Sequence, residues 1–352
     1  MDTLTHALAG ALVARATAPA KPGVDALPLR SRVLAGTAAA AFPDIDFVLG
    51  YLSPVVYLQW HRGITHSVLL LPLWALLLAM LFARIARDPR GYRPWFGVCA
   101  LGIGTHIATD LITSFGTMIL APVSNQRFGL GTTFIIDLWL SGLVLAGLLA
   151  SLAWRGSRLP AVFASLAVVG YVAMQAVAKG EAERFGEAYA QSRGIGDAEV
   201  IAHPRPVSPF NWSVFVRHHE EIAFTHVNLV RRHSLPPPGP EAGFIARLNA
   251  PYEPLDRAQW DRRMQFGTTL DERSFARSAW RAHDLRVFRW SADVPIFDGA
   301  SADGSCAWFI DLRFLTPGRG ALPFRYGVCR NGPDDRWQLH LFADGAAVPV
   351  AR

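Results

Sequence analysis

Residues 61–85 read HRGITHSVLLLPLWALLLAMLFARI. Two histidines five residues apart, an arginine and a glycine open the stretch, and no side chain from Val68 to Phe82 carries a charge. A run of that kind is close to the ~20 apolar residues needed to cross the hydrocarbon core of a bilayer. The polar opening then lies at a membrane boundary, and this placement governs how the rest of the chain is read.

Three more runs have the same character: Trp95–Phe115, Phe134–Trp154 and Leu159–Val177. Together with Ile64–Ile85 they predict four transmembrane helices. Val33–Phe42 is shorter and rich in Ala and Gly, and Leu4–Ala16 is apolar, so one or two short embedded helices are expected as well. Leu4–Ala16 does not read as a signal peptide, because no basic segment precedes it and His6 and Arg15 lie within it.

The 352 residues are 51% hydrophobic and only 18% charged, with a formal net charge of +6. A globular average is roughly 25% charged. The shortfall excludes a disordered or acidic-tail protein. Divided at Gly180, the first part holds two Lys, eleven Arg, seven Asp and no Glu, whereas the second holds 21 basic and 21 acidic residues. The expected fold class is therefore α+β: a polytopic α-helical membrane bundle over residues 1–180, then a β-rich soluble domain over residues 181–352.

Basic residues orient such a bundle. Arg84, Arg87, Arg90 and Arg93, then Arg155 and Arg158, then Lys21, Arg30 and Arg32 fall at three places that should be cytoplasmic. The +6 is thus an orientation charge, and no nucleic-acid partner is expected. After the fourth apolar run the chain emerges on the opposite side, which places the soluble domain in the periplasm or extracellular space. There, Glu181–Ser192 reads as a helix, His203–Phe210 as a Pro-rich turn and Leu235–Gly239 as a loop. Trp212–Arg217, Ile222–Val230, Val287–Trp290, Ala307–Leu315 and Trp337–Phe342 read as strands. Cys306 and Cys329 fall on the side where a disulfide can persist, but their pairing is not readable from spacing. Cys99 lies in an apolar run and reads as a small core residue.

A charge in hydrocarbon costs several kcal/mol, so ionisable residues in the bundle are candidates for function. Setting the basic loops aside leaves His6, Asp44, Asp46, His61, Arg62, His66, His106, Asp110 and Asp137. Their positions along the runs all point to the outer membrane face. His106 and Asp110, at i and i+4, share a helix face and can bind one metal ion or simply bond to each other. His61 and His66 flank Gly63, which permits a tight entry; they read as ligands or as an interfacial cap, and Arg62 can grip a phosphate or carboxylate. Asp44 and Asp46 can bracket an ion in a turn or cap a helix. Alone, His6 reads as interfacial and Asp137 as a helix-dipole partner; both gain weight from sharing the face with the others. His and Asp without Cys suit zinc first and manganese second, with one to three ions.

These residues stand in motifs that resemble a known family. Met1–His6, Pro43-Asp44-Ile45-Asp46, His61–Ser67, His106–Asp110 running into Ser114-Phe115-Gly116-Thr117, and Phe134–Asp137 are similar to the YdjM-like membrane-bound metal-dependent hydrolases. The resemblance is strongest over residues 1–150 and is more distantly shared with zinc-dependent phospholipase C and the single-strand zinc nucleases. It implies that His6, Asp44, His61, His66, His106 and Asp110 are metal ligands, and that the protein resides in a bacterial inner membrane.

The expectation from both lines is a metal-dependent hydrolase at the outer membrane–water interface, acting on a lipid or lipid-linked phosphoester. Asp46 or Asp137 would serve as general base, and Arg62 would stabilise developing negative charge. The alternatives are a metal-stapled scaffold or sensor and, ranked below it, a metal or proton transporter.

Overall fold

The computed structural model describes all residues except 22, 24, 320–323, 331, 333–334, 344–345 and 351–352. It resolves into two compact units, one formed by Met1–Val48 and Trp60–Ala178, the other by Leu49–Gln59 and Lys179–Arg352. The seven helices that begin the chain are α1 (Thr3–Ala16), α2 (Leu29–Ala41), α3 (Pro54–Trp60), α4 (Leu71–Ile85), α5 (Arg93–Leu111), α6 (Leu138–Ala153) and α7 (Leu159–Ser192).

The first unit is packed the opposite way from a water-soluble domain. Its core centres on small side chains: Ala35, Ala39, Ala75, Ala79 and Cys99 are almost wholly buried. Large apolar residues such as Leu77, Leu81, Leu149, Phe163 and Leu166 face outward. Small residues let helix backbones approach closely in lipid, where burial of bulk gives no advantage. A Cβ at Gly36 on α2 would lie 2.8 Å from Gly10 O on α1, and one at Gly102 on α5 would lie 2.8 Å from Gly36 O. Only glycine fits that crossing, which draws α1, α2 and α5 together.

Among the described residues, fewer helices than the four expected are long and apolar enough to span on their own. Leu29–Tyr51 (α2 with the 3₁₀ turn after it) and Leu159–Ser192 qualify, and Pro54–His66 with Leu71–Ile85 makes a third if the pair, bent by 76°, is one span. The reasons are local. Ser67 breaks the run at 64–85: its hydroxyl donates to Ala121 O at 2.5 Å and accepts from Leu69 N and Leu70 N. Helix α6 has only 16 residues, and α5 carries His106 and Asp110 in its last two turns. The short Val33–Phe42 run is instead part of a 23-residue candidate span.

The second unit is β-rich. Strands β1 (Glu199–Pro204), β2 (Asn211–His218) and β3 (Glu221–Asn228) form an antiparallel sheet, joined by β4 (Glu253–Pro254) parallel to β3 and by β5 (Asp261–Met264) antiparallel to it. A second, antiparallel sheet contains β6 (Pro295–Ala300), β7 (Cys306–Asp311), β8 (Tyr326–Cys329), β9 (Gln338–Ala343) and β10 (Ala346–Pro349). Phe215, Ile222 and Phe224 pack with Val294, Ile296, Ile310 and Leu312 in a core of large side chains. Cys306 lies directly opposite Cys329 across β7 and β8, and the two form a disulfide.

Three helices complete this unit: α8 (Phe244–Asn249), α9 (Leu270–Trp280) and α10 (Arg286–Ser291). Val287–Trp290, expected as a strand, is therefore a helical turn. Four apolar residues do not distinguish the two, and Arg289 Nη1 fixes the helix by donating to Trp280 O and Ala282 O. The expected strand at Ala307–Leu315 ends at Asp311, whose carboxylate accepts from Arg313 N and turns the chain into a 3₁₀ helix. Glu181–Ser192 is not a separate helix but the end of the 34-residue α7.

Candidate metal centre

Asp2 caps α1 by accepting from Thr5 N at 2.9 Å, which sets His6 in the first turn facing the bundle interior. His6 Nδ1 meets Thr109 Oγ1 at 2.9 Å. That hydroxyl also reaches the carbonyls of Thr105 and His106, to which it donates, so it accepts from His6 Nδ1–H. His106, on α5, puts Nδ1 2.6 Å from Ala40 O; a carbonyl can only accept, so this nitrogen also carries the proton. Thr65 Oγ1 donates to Asp46 Oδ2 at 3.1 Å and therefore accepts from His66 Nδ1 at 3.0 Å.

With Nδ1 of each imidazole donating outward, the Nε2 lone pair of all three points inward. His106 Nε2 lies 2.9 Å from His66 Nε2 and 3.4 Å from Asp110 Oδ2. His66 Nε2 lies 3.2 Å from Asp110 Oδ2, and His6 Nε2 lies 3.1 Å from Asp110 Oδ1. Asp44 Oδ1 stands 3.6 Å from His106 Nε2 and 3.8 Å from His66 Nε2. His6 Nε2 and Asp110 Oδ2 are buried without a hydrogen-bond partner. Five acceptor atoms therefore face one point, with positive charge beside them only from Arg62 and the Met1 amine on Asp110 Oδ1, an arrangement that a bound cation would satisfy. His6, Asp44, His106 and Asp110 offer ligand atoms within 4.8 Å of one another. Atoms about 2.1 Å from a shared zinc ion would be about 3.4 Å apart, so the donor set fits a divalent cation.

The surrounding residues hold this set in place. Asp46 accepts from His61 Nδ1 at 2.7 Å and from Arg62 N at 2.9 Å, while Thr3 Oγ1 donates to Asp44 Oδ2 at 2.6 Å. Carboxylates and hydroxyls that orient ligating histidines are the usual outer layer of a metal site. The loop bearing His61 and His66 is tied to residues 118–121 by Met118 N→Arg62 O and Val68 N→Ile119 O, both 2.9 Å. Gly63 is needed in it, since a Cβ there would sit 2.7 Å from Trp60 O.

Arg62 occupies a different place from the one expected. Its backbone is left-handed, at φ 61°, which turns the side chain inward, where it is 1% exposed. Nη2 pairs with Asp110 Oδ1 at 2.8 Å and Nη1 donates to Thr113 Oγ1 at 2.8 Å. The guanidinium is buried against the Asp110 carboxylate and Thr113. The Met1 amine reaches the same Asp110 oxygen. Asp137 does not join the cluster. Its Oδ1 accepts from Trp139 N and Leu140 N, capping α6, and its Oδ2 accepts from Tyr171 at 2.8 Å. His61 bonds to Asp46 and lies beside His66, with ring centroids 6.0 Å apart, outside the group that converges on Asp110. Thr3, Thr65, Thr109 and Thr113 went unread in the sequence, where isolated threonines carry no signal.

Residues 1–182 match the family described as YdjM inner membrane protein, and the chain belongs to that family. It is 29% identical over 175 residues to the uncharacterized protein YfhP of Bacillus subtilis (strain 168), an overlap of 49% of this chain and 52% of that protein. The chain thus spans about half the length of the curated relative it matches. No solved structure matches it.

Proposed function

On the premise that the chain is a YdjM inner membrane protein, we propose that it is a metal-dependent hydrolase of the membrane interface. The reading rests on one observation: three imidazoles donate Nδ1–H outward and turn Nε2 toward Asp44 and Asp110, with no proton between them. His6, His66, His106, Asp44 and Asp110 would hold one divalent cation, zinc first and manganese second. Such a cation supplies Lewis acidity and lowers the pKa of water toward ~7.

The chain's own residues supply the rest. Arg62 orients the Asp110 carboxylate, and Thr113 holds the Arg62 guanidinium in place. His61 and Asp44 are the partly exposed members, with side chains 13% and 11% exposed, and they mark the open edge. There, His61 takes the proton from water, and Asp46 acts through it by holding Nδ1 rather than as a base itself. An edge at headgroup depth suits a phosphoester of a lipid or lipid-linked substrate on the outer leaflet. The soluble domain lies in the periplasm, in keeping with its disulfide.

A second reading is favoured by burial. His6, His66, His106 and Asp110 are wholly inaccessible, as in a structural site whose coordination is closed. Hydrolysis of a phosphodiester presented in mixed micelles separates the two. A hydrolase requires wild-type turnover that falls at least about 100-fold in His61→Gln with metal content unchanged. No turnover in a metal-loaded wild type would favour the staple.

A further inference from the structure

At the end of α1 away from His6, a cavity of about 400 Å³ opens among Arg15, Arg32 and Arg158 and the side chains of Leu27, Leu29 and Leu159. The arginines come from three parts of the bundle: the last turn of α1, the first turn of α2, and the residue before α7. Each is anchored by backbone carbonyls. Arg15 Nη2 donates to Arg155 O at 2.8 Å and Ser157 O at 2.6 Å. Arg32 Nε donates to Ala14 O at 2.9 Å, and Arg158 Nη1 to Ala18 O at 2.9 Å.

Carbonyl anchoring uses only part of each guanidinium. Arg15 Nη1, Arg32 Nη1 and Arg158 Nη2 take part in no hydrogen bond among the described residues, and none of the three arginines forms an ion pair there. Arg15 is buried, Arg32 half-buried and Arg158 exposed; the buried Arg62 is by contrast neutralised by Asp110. Three anchored positive charges around one cavity, with no ion-paired carboxylate among the described residues, form a site for a multiply bonded anion. The walls narrow the choice. Leu29 and Leu159 are 39% and 56% exposed at the rim, so apolar surface continues directly from the charged floor. A free anion gains nothing from that surface, whereas a lipid places its phosphate in the one part and its chains on the other.

We propose that this cavity binds the phosphate headgroup of an anionic phospholipid, at the face of the bundle opposite the metal centre. The site does not depend on the hydrolase reading. It would tether the ends of α1, α2 and α7 to one lipid and link their packing to the charge of the inner leaflet.

The test is native mass spectrometry on the full chain, delipidated in detergent and titrated with phosphatidylglycerol or phosphatidylcholine. Phosphatidylglycerol should bind preferentially. Its affinity should fall about fivefold in Arg158→Gln and about 25-fold in Arg32→Gln/Arg158→Gln, at about a factor of five per interfacial arginine. Arg158→Lys, which keeps the charge, should retain most binding and shows that the position tolerates change. Equal binding of the two lipids, or unchanged phosphatidylglycerol binding in the double variant with wild-type helix content, would overturn the proposal. A parallel arm adds millimolar inorganic phosphate: displacement of the lipid would assign the cavity to free phosphate and overturn the lipid reading, and lipid retention supports it.

Discussion

The two units solve the same packing problem with opposite materials. The first buries many Ala and Cys99 beside a few large residues such as Ile103 and Leu140 and turns much of its Leu and Phe outward; the second hides Trp212, Phe215, Phe309 and Tyr326. Their buried charges differ in the same way. In the second unit Arg313 meets Asp311 at 3.0 Å and His203 meets Asp293 at 2.8 Å, while the buried Arg205 is held by the Ser213 hydroxyl and the Arg313 carbonyl. Burial alone would raise the Asp293 carboxyl, but the His203 bond and nearby cations hold it at about 2. In the first unit three imidazole nitrogens and two carboxylates face each other as acceptors. That cluster of acceptors is where the first unit could hold a cation.

The sharpest way to break this comparison is Asp110→Asn. It removes the carboxylate shared by His6, His66, His106 and Arg62, and bound metal should fall to background while the second unit keeps its own unfolding transition. Elemental analysis with differential scanning calorimetry reads both. Next in size, Phe215→Ala should cost the second unit about 3–5 kcal/mol, whereas the first should instead be hurt by enlargement. Ala79→Leu, at a fully buried position, should cost about 1–3 kcal/mol. Thermal unfolding in detergent would show if either unit responds in the other's manner.

Asp46→Asn touches only the outer layer, through His61, Thr65 and the Arg62 amide. Metal affinity should drop about 10–100-fold without loss of the fold, measurable by competition with a chelating dye. The smallest effect concerns pH. His226 in β3 is pushed down to about 3, chiefly by burial and then by the Arg205 charge. A depressed imidazole is neutral when folded and takes up a proton when unfolded, so its contribution is complete above pH 6.5 and shrinks as pH falls toward 3. By pH 5 the second unit should have lost at most about 2 kcal/mol, and His226→Gln should flatten the slope.

Much of the centre was legible in the sequence because lipid leaves so few ionisable groups to choose from. His106 and Asp110 share a helix face, and His66 meets them as the HRGITHS stretch suggested. What was illegible depends on backbone detail. The left-handed backbone of Arg62 reverses its role from gripping substrate to pinning Asp110, and residue type alone does not reveal that turn. Asp137 stands apart from the cluster as the cap of α6, and a capping carboxylate and a catalytic one look alike in a string of letters. The span at 64–85 was read as unbroken because a single serine, bonded to a carbonyl 54 residues away, ends its first segment. The strand expected at Val287–Trp290 failed for the opposite reason, as too short a run to show its period.

The most direct test is the metal content of the full chain, purified in mild detergent without chelators and measured by inductively coupled plasma mass spectrometry. The account predicts about one divalent ion per chain, lost together in His106→Ala and Asp110→Asn and restored to wild type by zinc after dialysis. A wild-type protein that carries no transition metal, takes up none when zinc is added, and melts at the same temperature as Asp110→Asn would contradict it.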